Sequence, residues 1–228
     1  MKKILFISFV FSTIAFSQTL IPKLPQITAS SFLLIDAETN KIIAQQNPEA
    51  STGLASITKI MTSYIVADYL KQGFLNIKDS TTVSEKCWRM EGSRMFIQEG
   101  KKVLIEDLMR GMIIQSGNDA ACALAEHIAG TQEDFASLMN DYAQKMELKN
   151  TNFTNPTGLP NVNHYSTAED IAKLSIVLIN DFPDEYSIYR EKEFTYNDIR
   201  QLNRNSLLWQ DDSIDGIKTG HTRASGYC

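Results

Sequence analysis

Beyond its first 16 residues the sequence lacks a long apolar run, and throughout it lacks clustered metal-binding residues and any excess of basic charge. The three cysteines and three histidines form no Cys-x-x-Cys or His-Glu-x-x-His pattern, so a zinc site has little support and no metal or cofactor is expected. Twenty-two basic residues face 27 acidic ones, giving a net charge of −5. An acidic chain without long basic runs is a poor candidate for binding nucleic acid.

The N-terminus has the order of an export signal. Met1-Lys-Lys3 is basic, Ile4 to Phe16 is almost entirely apolar, and Ala15-Phe-Ser17 offers small residues to a signal peptidase. A buried N-terminal helix is the alternative, but the basic, apolar, small order favours export. We predict a signal peptide over residues 1–17, a mature chain over 18–228, and an exported, periplasmic protein.

The cysteines leave two interpretations open. Cys87, Cys122 and Cys228 are an odd number without paired spacing. An oxidising compartment permits one disulfide, but buried free thiols are the simpler expectation.

The hydrophobic pattern predicts strands at both ends of the chain and helices between them. Two short β-type runs, 31–36 and 41–45, predict a hairpin. Helices are expected at 55–70, 104–114, 120–129, 132–147 and 168–180, with a loop at 152–163 and extended segments at 193–196 and 214–220. This order indicates an α+β fold in which an antiparallel sheet, with strands from both ends of the chain, is flanked by helices and carries an inserted all-α lobe.

A Ser-x-x-Lys motif, Ser56 to Lys59, opens the apolar helix. Residues three apart share one helix face, about 5–6 Å between Cβ atoms. A neutral lysine can take the proton of a serine hydroxyl, and burial beside another cation lowers a lysine pKa towards the neutral form. The alternative is an N-capping serine followed by a surface lysine.

Two further motifs could border the same site. Ser116-Gly-Asn118 lies between two predicted helices, where its hydroxyl and amide could reach a pocket, although Ser-Gly-Asn is also common in turns. Lys218-Thr219-Gly220, followed by His221, ends an extended segment. On a strand beside a cleft, Lys218 and Thr219 could face a substrate carboxylate, and Gly220 would leave room for substrate backbone. The alternative is a solvated lysine on a strand edge.

Together the three motifs, about 60 and 100 residues apart, resemble the signature of penicillin-binding proteins and class A β-lactamases. The longer runs Ala55 to Tyr64, Gln115 to Asp119, 185–189, 201–205 and 215–222 resemble the low-molecular-mass penicillin-binding proteins of the serine D-alanyl-D-alanine carboxypeptidase family. The resemblance implies the β-lactamase/transpeptidase-like fold.

The resemblance also implies an activity and a role for each motif residue. Ser56 would attack the bond between two terminal D-alanines of a peptidoglycan stem peptide, with Lys59 as proton acceptor. Ser116 would relay a proton, and Asn118 with Lys218 would position substrate and lysine. The N–H groups of Ser56 and His221 would form the oxyanion hole, β-lactams would acylate Ser56, and no cofactor would be needed.

Family members continue beyond the point where this sequence ends, with further strands and, in many, a β-rich domain and a C-terminal membrane anchor. We therefore expect the catalytic domain 18–228 to be incomplete at its C-terminus, with reduced stability and activity. Membrane association at the periplasmic face of the inner membrane would need the anchor of the full-length form.

Two other functions fit parts of the pattern. A β-lactamase would share the fold, but class A enzymes carry Asp where this chain has Gly117, and no Glu-x-x-Leu-Asn element is found. An inactive, truncated peptidoglycan-binding protein would keep the fold without the chemistry.

Overall fold

The computed structural model describes residues 27–228, and the predicted signal peptide, 1–17, lies outside that range. The described helices are α1 (Lys59–Lys71), α2 (Glu85–Trp88), α3 (Ile105–Ile113), α4 (Asn118–Ala129), α5 (Gln132–Lys145), α6 (Ala168–Asp181) and α7 (Pro183–Tyr186). The described strands are β1 (Phe32–Ile35), β2 (Ile42–Gln46), β3 (Ser80–Thr82), β4 (Lys102–Leu104), β5 (Glu193–Tyr196), β6 (Ile199–Leu202), β7 (His221–Thr222) and β8 (Gly226–Tyr227). In residues 27–228, no helix combines the length and apolar character needed to cross a bilayer.

Helix α1 is central to the core, as its lack of a polar face predicted. Every residue from Lys59 to Ala67 is buried, and Met61, Ile65 and Val66 have no exposed surface. Burying a side chain of this size stabilises the fold by about 1.5–3 kcal/mol. Helix α4 packs against α1 and α3 and is itself buried over its first eight residues. This packing fixes the N-terminal ends of α1 and α4, where two of the three motifs lie.

Threonine caps confirm the predicted starts of the two later helices. Thr131 Oγ1 accepts the N–H of Asp134 at 3.0 Å, and Thr167 Oγ1 accepts that of Asp170 at 3.1 Å. Such a cap contributes about 1 kcal/mol by satisfying an amide that the helix leaves free. Gly130, at φ 83°, ends α4 as predicted.

The described strands form four antiparallel pairs: β1–β2, β3–β4, β5–β6 and β7–β8. The first confirms the predicted hairpin, and the mixed helix and strand content agrees with the predicted α+β class. The expected pairing of strands from the two ends of the chain is not seen among residues 27–228. Strand β7, only two residues long, contacts the 3₁₀ turn Ala55–Thr58 instead.

The expectation of free thiols is wrong for two of the three cysteines. Cys87 on α2 and Cys122 on α4 form a disulfide and are fully buried, whereas Cys228 is free and exposed. Their Cα atoms lie 5.3 Å apart, within the range a disulfide requires. The 35-residue separation carries no local spacing signal, and only the packing of α2 on α4 brings the pair together.

Candidate active site

Ser56 lies in the 3₁₀ turn Ala55–Thr58 that leads directly into α1. The preceding residue, Ala55, has φ 45°, in the left-handed region that non-glycine residues rarely adopt. The turn brings Ser56 Oγ to 3.1 Å from Lys59 Nζ. Ser56 is half-buried whereas Lys59 is fully buried, so the hydroxyl faces solvent-accessible space and the amine lies beneath it.

Three oxygen atoms surround Lys59 Nζ. Asn118 Oδ1 and the carbonyl oxygen of Thr157 each lie 2.7 Å away, and Ser56 Oγ lies at 3.1 Å. A neutral amine has two N–H donors and one lone pair. The two carbonyl oxygens accept the two N–H groups, which leaves the lone pair to accept the proton of the Ser56 hydroxyl.

The surroundings favour the neutral form of Lys59. Burial lowers the Lys59 pKa well below its ordinary value because the charged ammonium is desolvated, and the positive charge of Lys218 lowers it further. The carboxylate of Asp119 acts in the opposite direction but is the smallest of the three effects. A neutral lysine next to a serine hydroxyl can act as a general base.

Ser116 lies in the break between α3 and α4, with φ 64° and almost no exposed surface. The break, predicted at 115–118, spans 114–117 in the structure, because α3 ends at Ile113 and Asn118 already belongs to α4. Asn118 directs its side-chain oxygen to Lys59 and donates from Nδ2 to the Glu91 carbonyl at 2.6 Å. The second motif therefore meets the first at the N-terminal ends of α1 and α4.

Lys218 brings the third motif to the other two. Its Nζ donates to Ser116 Oγ at 3.0 Å and to the carbonyl of Thr219 at 3.1 Å. The expected strand through Lys218 is not formed, because regular pairing begins only at His221. Burial, together with the charge of Arg204, lowers the pKa of Lys218 to about 7.

Gly220 lies against the turn that carries Ser56, and its predicted role of leaving room for substrate backbone stays a prediction. A Cβ on Gly220 would come within 3.2 Å of Ser56 N and 3.1 Å of the Leu54 carbonyl oxygen, so this glycine permits close contact with the turn that carries Ser56. Its N–H and carbonyl pair with those of Cys228. The next residue, His221, is exposed and stacks its ring on Tyr227, and its backbone N–H remains the predicted contribution to an oxyanion hole.

Two residues in the 152–163 loop support the site and were not predicted as site residues. Thr157 contributes only its backbone carbonyl to Lys59, and a carbonyl has no residue-type signature. Gly158, at φ 84°, lies so close to the Ala55 carbonyl that any Cβ there would overlap it. The Asn-, Pro- and Gly-rich composition of residues 152–163 indicated only that this stretch is a loop.

Arg204 is a further residue that motif analysis did not single out. Its backbone N–H donates to the Ile114 carbonyl at 3.2 Å, and Nε donates to the Gln115 carbonyl at 3.4 Å, which places it beside the break that carries Ser116. Its charge acts on Lys218. Arg204 lies in the run 201–205, which the sequence analysis used only as part of the family resemblance.

One group of metal-ligating residue types occurs within residues 27–228: Cys87, Cys122 and Glu126. The two sulfurs are bonded to each other, so this group lacks the thiolates that a soft metal requires. It lies on α2 and α4 and includes no residue of the three motifs.

The site thus contains a hydroxyl beside an amine whose neutral form is favoured, and a second hydroxyl beside a second amine. Ser56 with Lys59 can make and break an acyl bond, while Ser116 with Lys218 can supply a proton and a positive charge. This set of groups fits acyl transfer through a covalent serine intermediate.

Residues 18–228 match the family model described as D-alanyl-D-alanine carboxypeptidase. The chain is 47% identical over 207 residues to the D-alanyl-D-alanine carboxypeptidase DacA of Haemophilus influenzae, covering 89% of this chain and 53% of that protein. It is 46% identical over 217 residues to DacA of Escherichia coli K12, covering 92% of this chain and 54% of that protein. The chain spans about half the length of these curated relatives.

Solved structures show the same fold. Penicillin binding protein 5 from Haemophilus influenzae superposes with a TM-score of 0.87 at 47% identity, over 90% of this chain and 61% of that one. Penicillin binding protein 6B from Escherichia coli has a TM-score of 0.85 at 40% identity, over 92% of this chain and 68% of that one.

Proposed function

The chain belongs to the D-alanyl-D-alanine carboxypeptidase family, and we propose that it removes the terminal D-alanine from peptidoglycan stem peptides through an acyl-enzyme on Ser56. The observation that carries the proposal is the position of Lys59 Nζ, 3.1 Å from Ser56 Oγ with its other two hydrogen-bonding directions occupied by Asn118 and Thr157. This leaves the amine lone pair directed at the serine hydroxyl.

In the acylation step, Ser56 Oγ attacks the carbonyl carbon of the penultimate D-alanine while its proton passes to Lys59. The N–H groups of Ser56 and His221 stabilise the negative oxygen that forms, a contribution worth about 3 kcal/mol per donor. The C–N bond then breaks. Ser116 relays the proton to the departing D-alanine amine, so the serine proton ends on the leaving group.

Release of the peptide reverses these roles. Water attacks the ester carbon as Lys59, neutral again, takes its proton, and Ser56 regains its hydroxyl. The positive charge of Lys218, beside Ser116, binds the free carboxylate of the substrate and helps to hold Lys59 uncharged.

Labelling with a fluorescent penicillin tests the nucleophile, because a β-lactam acylates the same hydroxyl as a substrate mimic. We expect the wild-type chain to be labelled and Ser56→Ala to remain unlabelled. The matched control is Ser137→Ala, which removes an exposed hydroxyl on α5 and should label normally. Labelling of Ser56→Ala would disprove the role of Ser56.

A second assay addresses the reaction. Wild type, but not Ser56→Ala, should release free D-alanine from a peptide ending in D-Ala-D-Ala. Hydrolysis of a chromogenic cephalosporin at many turnovers per second would contradict the proposal and favour a β-lactamase. Penicillin labelling without any D-alanine release would favour a binding protein.

Export to the periplasm is part of the same proposal. The signal-like order of residues 1–17 supports it, as does the Cys87–Cys122 disulfide, since stable disulfides form chiefly in oxidising compartments. Mass spectrometry of the protein from a periplasmic fraction should give a mature chain that begins at Gln18. A mass that retains residues 1–17 would contradict cleavage.

A further inference from the structure

A cleft of about 700 Å³ lies outside the catalytic groups, on the segment between α2 and β4. We call it the arginine–aromatic cleft, and it is lined by Trp88, Arg89, Arg94, Phe96, Ile97 and Gln98. None of the three motifs contributes to it, and the acyl-transfer chemistry described above leaves its residues without a role.

The cleft exposes aromatic rings that a protein normally buries. Trp88 is 39% exposed and Phe96 is 45% exposed. An arginine lies against each ring, with the guanidinium carbon of Arg89 at 5.4 Å from the Trp88 ring centre and that of Arg94 at 5.6 Å from the Phe96 ring centre. The cleft thus combines apolar ring faces with planar cations.

The two arginines differ in their partners. Arg89 pairs with Glu85 at 2.8 Å, whereas Arg94 has no carboxylate partner within residues 27–228. A guanidinium free of an internal partner can bind a carboxylate in the paired geometry that suits both groups. Although the chain has a net charge of −5, Arg94 provides a local positive charge that attracts an anionic group.

The chain segment that forms the cleft is anchored to α4 at both ends. Phe96 has φ 70°, a left-handed conformation that is costly for a bulky residue, and its N–H donates to the buried Asp119 carboxylate. The N–H groups of Met95 and Ile97 donate to the same carboxylate. At the other end the Cys87–Cys122 disulfide fixes α2 to α4. The backbone therefore positions the Phe96 ring at the surface.

The cleft adjoins the catalytic groups through Asn118. The residue that binds Lys59 also donates from its backbone N–H to Ser93 O at 2.7 Å and from Nδ2 to Glu91 O at 2.6 Å. Residues 91 and 93 therefore border the site, and the chain runs from them directly into Arg94 and Phe96. A long substrate whose end lies at Ser56 could continue along this segment.

We propose that the arginine–aromatic cleft binds the sugar-bearing, acidic part of the peptidoglycan substrate, with a sugar ring against Phe96 or Trp88 and a carboxylate on Arg94. The proposal rests on the proposed function. The C–H face of a sugar ring is apolar and packs on an aromatic face, and stem peptides carry carboxylates beyond the D-alanine end. The cleft would make the enzyme favour disaccharide-linked peptides over short free peptides.

Two substrates and two cleft variants test this inference. D-alanine release is measured as kcat/KM on a short acyl-D-Ala-D-Ala peptide and on a disaccharide pentapeptide. Arg94→Gln removes the charge, and Phe96→Asn removes the ring with a residue that tolerates the left-handed backbone. Each should lower kcat/KM on the disaccharide pentapeptide about tenfold, the size expected for a charge-assisted or stacking contact, and leave the short peptide within about twofold.

Matched controls distinguish the cleft from a general surface effect. Arg190→Gln and Phe74→Asn change an exposed arginine and an exposed phenylalanine elsewhere and should alter neither rate. An equal loss on both substrates, or no loss on either, would overturn the inference. Penicillin labelling of each cleft variant should match wild type, which shows that the catalytic groups remain in place.

A binding measurement separates failure of this inference from failure of the proposed function. In a Ser56→Ala background, titration with the disaccharide pentapeptide should give a Kd about tenfold weaker when Arg94→Gln is added, with little change for the short peptide. If the wild-type chain releases no D-alanine, the proposed function fails, and this titration still decides the role of the cleft. An unchanged Kd would rule the cleft out.

Discussion

Opposing contributions set the pKa of Lys59. Burial and the charge of Lys218 lower its pKa, while Asp119 raises it. Asn118 and Thr157 contribute through geometry, because carbonyl oxygens orient the amine without adding a formal charge. The pKa of Lys59 is therefore lowered by its depth in the core and by the charge of Lys218, and each of these can be altered separately.

Arg204 should control the pH range in which Lys218 stays charged. Since Arg204 helps to lower the Lys218 pKa to about 7, Arg204→Gln should let that pKa rise and keep the ammonium at higher pH. The alkaline limb of the pH profile for penicillin acylation should then move to higher pH. Arg200→Gln, which removes an exposed charge on β6, is the matched control. An alkaline limb that stays in place or moves to lower pH would contradict this assignment.

His164 should make stability sensitive to acid. The imidazole is buried, accepts the Thr154 N–H at Nδ1 and lies 2.7 Å from Thr58 Oγ1 through Nε2, and burial lowers its pKa to about 4. An unfolded histidine has a pKa near 6.5. Above pH 6.5 the neutral His164 ring makes its full contribution to the free energy of unfolding. As pH falls from 6.5 to about 4, the unfolded state gains a proton that the folded state does not, and about 3 kcal/mol is lost.

Urea unfolding at several pH values measures this effect. His164→Gln should lose about 1 kcal/mol at pH 7 through altered hydrogen bonding and should show a flatter decline in unfolding free energy between pH 6.5 and 4. His127→Gln, at an exposed position on α4, serves as the control. If His164→Gln declines as steeply as wild type over that interval, the source of acid sensitivity lies elsewhere.

The sequence motifs predicted which side chains lie in the site, but they did not predict which backbone groups bond to them. Five side chains were named from residue type and spacing, and the structure joins them in two hydrogen-bonded groups. Ser56 and Asn118 each bond to Lys59, and Ser116 bonds to Lys218. Their roles in catalysis remain predictions. The Thr157 carbonyl could not be predicted, since any residue carries that group.

At the scale of elements, helices were predicted more accurately than strand pairing. A helix bonds within its own segment, so the apolar period of α1 and the Thr167 cap of α6 are visible locally. A strand depends on a distant partner. The segment at Lys218 has the composition of a strand but has no partner there within residues 27–228, and β7 begins only at His221.

The disulfide between α2 and α4 should be a main stabiliser of the helical part. Closing a loop of 35 residues lowers the entropy of the unfolded chain by an amount worth about 4 kcal/mol in the chain-entropy model. The double substitution Cys87→Ala with Cys122→Ala should lower the free energy of unfolding by at least about 3 kcal/mol, because packing is lost as well.

Urea denaturation with and without a thiol reductant gives a second measurement of the same quantity. Reduction should destabilise wild type and leave the double variant unchanged, while Cys228→Ala, which removes the free exposed thiol, should behave as wild type. Equal stability of the reduced and oxidised wild type would show that the pair contributes nothing to the fold.

At the scale of the whole molecule, burial is concentrated in the helices. Helix α4 is buried over residues 118–125, whereas the β1–β2 hairpin leaves Leu34 52%, Ile42 50% and Ile43 54% exposed. An isolated two-stranded hairpin is marginally stable in water, and stability in a protein varies from region to region with local burial. The motif side chains therefore join a well-packed part, at Lys59 and Asn118, to a less buried one, at Lys218.

Hydrogen exchange should reveal this division directly. Backbone amides of α1 and α4 should exchange only on global unfolding, while those of β1–β2 and of the two-residue strands β7 and β8 should exchange through local opening with a much smaller free energy. Since Gly220 pairs with Cys228 and packs on the turn at Ser56, acylation of Ser56 by a penicillin should slow exchange in 220–228 and leave β1–β2 unchanged. Mass spectrometry of peptides from labelled and unlabelled protein measures both effects. Protection of β7–β8 equal to that of α4 in the free protein would contradict the division, because a hairpin with so little buried surface could then not be opening on its own.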